Sequence, residues 1–382
     1  MELDNFKNIR LLTNKEALLK RAFFYRILQN KNKRIWLDMI KKLAYVLLAL
    51  FTMVTLSISV YANENYKKEF IKGTNGEIST IINKRAFKKA DEVILINENA
   101  SIDAISVTPL AYLKKAPIIT TSYKNINQDT IDYLKDLGVK KVTIIGGLKS
   151  VSKTIENKIQ GMEIEVERIY GNDRYETSQK IAKIMDKEEK VSEAIVISSL
   201  AGIENAISIS DLACKNNMPI LWSNDNQIQD IANFVNKQNY KKVYALGNDE
   251  RFTHNAKQYI NNVELIKEMN RYDTNINDIK KLYNDINSIY TVNIEYGNNG
   301  DITKYLSLPA AAAHQNVPIL ICNENLTYNQ EEFIKENVEN VIEVGEKVGE
   351  YSVLNTFKSD AFFKAMIMVA VIIIIIIRGI KS

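Results

Sequence analysis

The sequence predicts an α/β protein of three tandem modules, each a parallel sheet layered between helices, flanked by two hydrophobic segments with the character of membrane spans. Three observations carry this. Prolines and glycines recur with a period of about a hundred residues, short apolar runs alternate with helical stretches through the middle of the chain, and basic charge gathers at the two ends beside the longest apolar runs.

The prolines set the period. Of five, Pro117, Pro219 and Pro318 lie 102 and 99 residues apart, in Ala116-Pro117-Ile118-Ile119, Met218-Pro219-Ile220-Leu221 and Val317-Pro318-Ile319-Leu320. Pro109 and Pro309 precede the first and third of these by 8 and 9. Gly146, Gly247 and Gly345 lie 101 and 98 apart, and each closes a short apolar run: 142–145, 243–246 and 341–344. Two sets of markers on one period define an internal repeat, with copies over 72–160, 168–262 and 270–350.

Each copy reads alike. An amphipathic helix opens it, and a strand follows at 92–97, 193–199 or 290–296. Next comes an alanine-rich or serine-rich helix, 310–315 in the third copy. The Pro-Ile strand follows, its proline suited to a first strand position. A helix over 128–137, 227–237 or 329–337 leads to the strand that ends in glycine. Nearly continuous apolar strands alternating with helices mean parallel strands buried on both faces. Each copy is therefore expected to be a small Rossmann-like, three-layer module, with 63–71 and 351–360 left as linkers.

The ends differ from the middle. The formal net charge of +4 divides into +7 on residues 1–62, +3 on 361–382 and −6 on 63–360. Residues 43–60 form an uncharged run of 18 behind Lys41 and Lys42. The stretch 39–62 has the basic start, apolar centre and small-residue exit of a secretory signal; an uncleaved signal anchor behind a basic tail, 1–42, is the alternative. The second run, 365–377, reaches back to Ala361 with only Lys364 interrupting, and ends in six isoleucines. It has no polar face, and a transmembrane segment over 361–378 is expected, with Arg378 and Lys381 on the cytoplasmic side. On this reading residues 63–360 lie outside the membrane. Net positive charge at the ends, with a folded body of −6, argues against a nucleic-acid partner.

The second copy opens on Arg168-Ile169-Tyr170-Gly171-Asn172-Asp173-Arg174-Tyr175-Glu176-Thr177-Ser178. With the helix, the Pro-Ile-Leu strand and the glycine-ended strand that follow, this resembles the cell wall binding repeat 2 (CWB2) family, and the resemblance covers essentially all of 72–350. It implies three modules about a pseudo-threefold axis. It further implies a non-catalytic surface protein held without a covalent bond to an anionic polymer of a Gram-positive cell wall, a polysaccharide or teichoic-acid-type chain. The copies are unequal: Gly76 stands where Arg174 does in copy two, and the third copy keeps Arg271 and Tyr272 but lacks the upstream Arg-x-x-Gly. The family's aspartate at the head of the next helix is Asp103 in copy one, Asn205 in copy two and Thr303 in copy three.

The ligand-binding set implied is Arg168, Asp173, Arg174, Tyr175, Asp103, Asn205, Arg271 and Tyr272. A guanidinium fork suits phosphate or carboxylate, and a tyrosine ring offers a stacking face to sugar. A structural reading stands beside it: a neighbouring acid such as Asp173 pairs Arg174, Tyr175 packs inward, and Asp103, Asn205 and Thr303 cap helices. The unequal copies leave a second function open, a scaffold that has lost wall binding and contacts an envelope protein.

Catalysis is not expected, and neither is a cofactor. His254 and His314 fall in different copies at non-equivalent places, unlike the clustered ligands of a zinc hydrolase. Gly146-Gly147 begins neither a dinucleotide fingerprint nor a P-loop. Cys214 and Cys322 are too few for a disulfide framework and are expected to be buried thiols.

Overall fold

A computed structural model describes residues 66–349, apart from 200–202, 225–226, 248, 267–270 and 295–301, together with isolated helical positions between 19 and 45. Glu64–Tyr351 form one compact unit. Apart from Tyr45, the apolar runs 43–60 and 361–378 lie outside the described residues. Among the described residues no helix is long and apolar enough to cross a membrane.

This unit runs through β1 (Lys67–Ile71) and α1 (Asn75–Ala86), then β2 (Glu92–Asn97), α2 (Ser101–Leu113), β3 (Ile118–Thr121), α3 (Gln128–Leu137), β4 (Lys141–Ile145), α4 (Lys153–Gln160) and β5 (Glu165–Ile169). The pattern repeats as α5 (Arg174–Glu188), β6 (Glu193–Ser198), α6 (Ile203–Lys215), β7 (Ile220–Ser223), α7 (Ile228–Gln238), β8 (Lys242–Leu246), α8 (Glu250–Tyr259) and β9 (Val263–Ile266). It repeats again as α9 (Arg271–Leu282), β10 (Ser288–Asn293), a 3-10 turn at Ile302–Tyr305, α10 (Leu308–Gln315), β11 (Ile319–Cys322), α11 (Tyr328–Asn337) and β12 (Asn340–Val344).

Three four-stranded parallel sheets result, ordered β3-β2-β4-β5, β7-β6-β8-β9 and β11-β10-β12-β1. Their inner strands are apolar because both faces are covered: β2 and β6 each bury five of six residues. From β2 the chain crosses one way to β3 and then back past β2 to β4. Right-handed crossovers place α2 on one face and α3 and α4 on the other, the three layers the periodicity predicts.

The proline markers occupy equivalent places. The carbonyls of Pro117, Pro219 and Pro318 accept from the N–H of Ile94, Ile195 and Tyr290, each at 3.0 Å. Just upstream, Lys115, Asn217 and Asn316 are left-handed. The following N–H groups, of Ala116, Met218 and Val317, return to Ala111, Ala213 and Ala312 at 2.9 to 3.0 Å. This closes each preceding helix in the same way.

The modules meet around their central helices α2, α6 and α10, which pack on one another pairwise. Alanine at 104, 111, 206, 213 and 310–313, all buried, permits that approach. Each opening helix also leans on the central helix of the module before it: α5 on α2, α9 on α6, and α1 on α10. The third of these contacts closes the ring. Trp222 of β7, fully buried, donates from Nε1 to Ser106 Oγ on α2 at 3.0 Å, a bond across the first seam.

One expectation is corrected. Residues 67–71 are not linker: β1 pairs parallel with β12, Lys67 opposite Asn340 and Ile71 opposite Val344, and so supplies the fourth strand of the third sheet. Of the three fourth strands, β1 and β9 fall outside the repeat boundaries read from sequence, and β5 straddles the start of the second copy. The reason is their position. Edge strands are half solvated and keep charges, here Lys67, Lys68 and Glu69, Glu165 and Glu167, and Glu264, which blur the apolar signal. Several of these pair with neighbours, Glu167 with Lys141 at 2.6 Å and Glu264 with Lys242 at 2.9 Å.

Candidate functional site

In an open α/β sheet, ligands collect beyond the carboxyl ends of strands where successive crossovers diverge. In the first sheet that point lies between β2 and β4, and an open crevice of about 700 Å³ occupies it. Residues 99–103 after β2 form one wall, 146–150 after β4 another, and Gly171, Asn172, Asp173, Arg174 and Thr177 from the second copy the third.

Local chemistry fixes each wall. Asn97 ties the first two together: its Nδ2 donates to the Ser150 carbonyl at 2.7 Å and its Oδ1 accepts from Asn99 N–H at 2.8 Å. Gly146 turns the chain at φ +104°, where a side chain is strained and a Cβ would lie 2.8 Å from Ser150. In the third wall Asp173 caps α5 by accepting from Glu176 N–H at 2.8 Å. Thr177 Oγ1 accepts from Gly171 N–H and donates to the Asp173 carbonyl, both at 2.9 Å. Helix α2 begins at Ala100 with no side-chain cap, so its first N–H groups face the crevice with their partial positive charge.

Two signature residues meet here from different copies. Arg174, at the first position of α5, is exposed and lines the crevice. Asp103 lines it from the third position of α2. Asp103 Oδ1 has no hydrogen-bond partner among the described residues. Burial pushes its carboxyl up to about 6, against the opposing pull of the Arg174 guanidinium.

The other expected residues are placed differently. Asp103 does not cap its helix, since the cap position is Ala100. Arg168 does not line the crevice. Its guanidinium is held by the Gly146 carbonyl at 2.8 Å and Glu156 at 2.9 Å, bracing the wall from behind. Tyr175 turns inward, packs on the core and donates to Ser199 Oγ at 3.3 Å, so it offers no open stacking face to this crevice. Asp173 serves the helix and not Arg174. Arg271 lies 5.7 Å from the Tyr272 ring, both half-buried at the start of α9. Asn205 holds the Asp103 position in α6, with its side chain outside the described residues. Residues that sequence reasoning passed over, Asn99, Lys149, Ser150 and Asn172, belong to loops without a periodic signal, and Ser101 is the first residue of α2.

The crevice holds no nucleophile paired with a base. Among the described residues no group of His, Cys, Asp and Glu is placed to hold a metal ion. His314 stacks on Phe87 with centroids 4.3 Å apart, and burial lowers its pKa. Cys214 and Cys322 are buried free thiols, both pushed up by desolvation.

The family model for cell wall binding domain 2 (CWB2) matches residues 56–156 and 168–255, the first two repeats. This chain belongs to the CWB2 family. N-acetylmuramoyl-L-alanine amidase LytC of Bacillus subtilis (strain 168) is 28% identical over 213 residues, 56% of this chain and 42% of that protein. The amidase enhancer of the same organism is 29% identical over 216 residues, 56% of this chain and 29% of that protein. Among solved structures, Cwp6 and Cwp8 from Clostridium difficile superpose with a TM-score of 0.61, at 26% and 27% identity. They cover 74% of this chain and 46% and 50% of those chains. The chain thus spans half or less of the length of each of these four proteins.

Crevice one is built by the first copy and roofed by the second, so the equivalent places in the other copies are compared through the residues at matching positions. Crevice one brings Asp103 and Arg174 together, and the matching positions in the sequence for crevice two are Asn205 and Arg271. Crevice three has Thr303 and Gly76, neither of them charged. There Asn75 Nδ2 donates to Thr303 Oγ1 at 2.8 Å, and Lys304 bridges to Glu346 at 2.6 Å. A Cβ on Gly345 would lie 3.1 Å from Lys304, so the lysine already lies across the strand end.

Proposed function

We propose that this CWB2 body attaches the protein to the cell wall without catalysis, by binding an anionic wall polymer in crevice one. The observation that carries the reading is the meeting of Arg174 and Asp103 beside the uncapped start of α2, at the divergence point of the first sheet. Arg174 supplies a fork for phosphate or carboxylate. The helix end adds a weaker field of the same sign. With its carboxyl pushed up to about 6, Asp103 is partly protonated at mildly acidic pH, which lessens its repulsion of an anion. A net charge of −6 over 63–360 makes this local arrangement necessary, because the body as a whole repels a polyanion at long range. The family match and the likeness to Cwp6 and Cwp8 support a wall-associated, extracellular place. The basic, apolar ends at 43–60 and 361–378 support a membrane tether, joining membrane to wall in one chain.

Sedimentation of the 382-residue chain with purified Gram-positive walls, at low salt with magnesium present, tests this. Wild type is expected to co-sediment, and R174A to bind about 10- to 100-fold more weakly, the loss of one charge-assisted contact of ~1.5–3 kcal/mol. Wild type that stays in the supernatant, or R174A that binds equally well, refutes it.

A further inference from the structure

We propose that Tyr170, flanked by Leu148, is a sugar-stacking platform on the rim of crevice one, so that the polymer it selects carries a hexose ring next to its acidic group. This rests on the wall-binding reading above.

Tyr170 directly follows β5 and is 51% exposed, while Leu148 is 56% exposed. Gly147, Leu148 and Gly171 all line the crevice. A Cβ on Gly147 would lie 3.6 Å from the Tyr170 ring, so the ring stands against the crevice wall. Lys180 steadies it: its Nζ donates to the Tyr170 carbonyl at 2.8 Å, pairs with Glu176 at 3.1 Å and lies 5.7 Å from the ring centroid.

Single exposed apolar residues are ordinary. What distinguishes this pair is the comparison within the chain. The residue after the fourth strand is Tyr170 at crevice one, but Lys267 and Lys72 at the other two. Two residues past the glycine marker stands Leu148 at crevice one, but Asp249 and Lys347 at the others. The apolar rim therefore coincides with the one crevice that keeps both Asp103 and Arg174. A hexose has one face of C–H bonds with partial positive charge, which packs on the negative face of an aromatic ring. Its hydroxyls would meet Asn99, Ser101, Asn172 and the unpartnered oxygen of Asp103, and its acidic group Arg174. A bare phosphate chain would have no use for the tyrosine.

The test uses the same wall sedimentation with Y170A, Y170F and R174A, alongside thermal melts. Y170A is expected to weaken binding about tenfold, Y170F to bind as wild type does, and both to melt with wild type. If Y170A binds normally while R174A does not, the platform is wrong and wall binding stands. If Y170F loses as much as Y170A, the hydroxyl and not the ring face is responsible, which also overturns the platform. A lowered Tm in Y170A assigns the ring to the fold instead. If wild type itself fails to sediment, the wall-binding reading falls and takes this proposal with it.

Discussion

Replacing Asp211 by asparagine probes how the second seam tolerates a buried charge. Asp211 sits on α6 at 4% exposure, and its Oδ1 has no partner among the described residues. Around it stand Cys214 and Lys215 on its own helix, Tyr283 beyond α9, and the N–H of Ile319 on β11, with Tyr112 of α2 near enough to act on Tyr283. Burial pushes the carboxyl from 3.8 up to about 7, while Tyr283, Lys215 and the Ile319 N–H pull the other way. The folded state therefore holds a proton that the unfolded chain has released. The associated stability is complete below about pH 4 and is lost as pH rises through about 7. Three units at ~1.4 kcal/mol each give an upper bound of about 4 kcal/mol. At about 2 °C per kcal/mol for a body of this size, that is about 8 °C in Tm. Asparagine keeps the shape and removes the charge. Thermal melts of wild type and D211N at pH 5 and pH 8 are expected to show the variant gaining about 5 °C on wild type between the two pH values, because about two of the three units fall in that interval. A Tm difference that is the same at both pH values refutes the reasoning. Asp103, pushed up to about 6, also titrates in this range, but it is common to both proteins and cancels.

Two further outcomes follow from packing and from crevice grading. W222F loses the bond to Ser106 across the first seam and part of a fully buried ring, and should cost about 1–3 kcal/mol, read as a lower Tm in a thermal melt. K304A breaks the bridge to Glu346 in crevice three. If crevice one alone binds, it should change wall affinity less than twofold in the sedimentation assay.

The repeat and its sheets were legible because they rest on residues with few alternatives. Proline opens β3, β7 and β11 in each copy, and glycine ends β4, β8 and β12, so the period survives divergence elsewhere. The helix over 128–137 was read to its ends because Asn127 caps it and Gly138 stops it in the left-handed region. Strand β10 was displaced in the reading, 290–296 against Ser288–Asn293, because the apolar run of this copy continues through Ile294 and Tyr296 with no breaker. The fourth strands were missed for their charges.

The candidate site was legible in its residues but not in its grouping. Asp103 and Arg174 belong to different copies, and nothing in linear order says that a seam joins them. Within the signature, sequence could not tell which tyrosine turns inward. Tyr175, inside α5, faces the core, while Tyr170, in the turn before it, faces solvent.

The pairing of β1 with β12 has a consequence for biosynthesis. Lys67 leaves the ribosome long before Asn340, its neighbour in the ladder. At ~5–20 residues per second the interval is tens of seconds. Joining ends so far apart adds little entropy, since loop closure grows only with the logarithm of length. Timing is what changes. A product released early keeps an unmatched strand at its front and an unfinished third sheet at its back, open to proteases, so completion waits on β12.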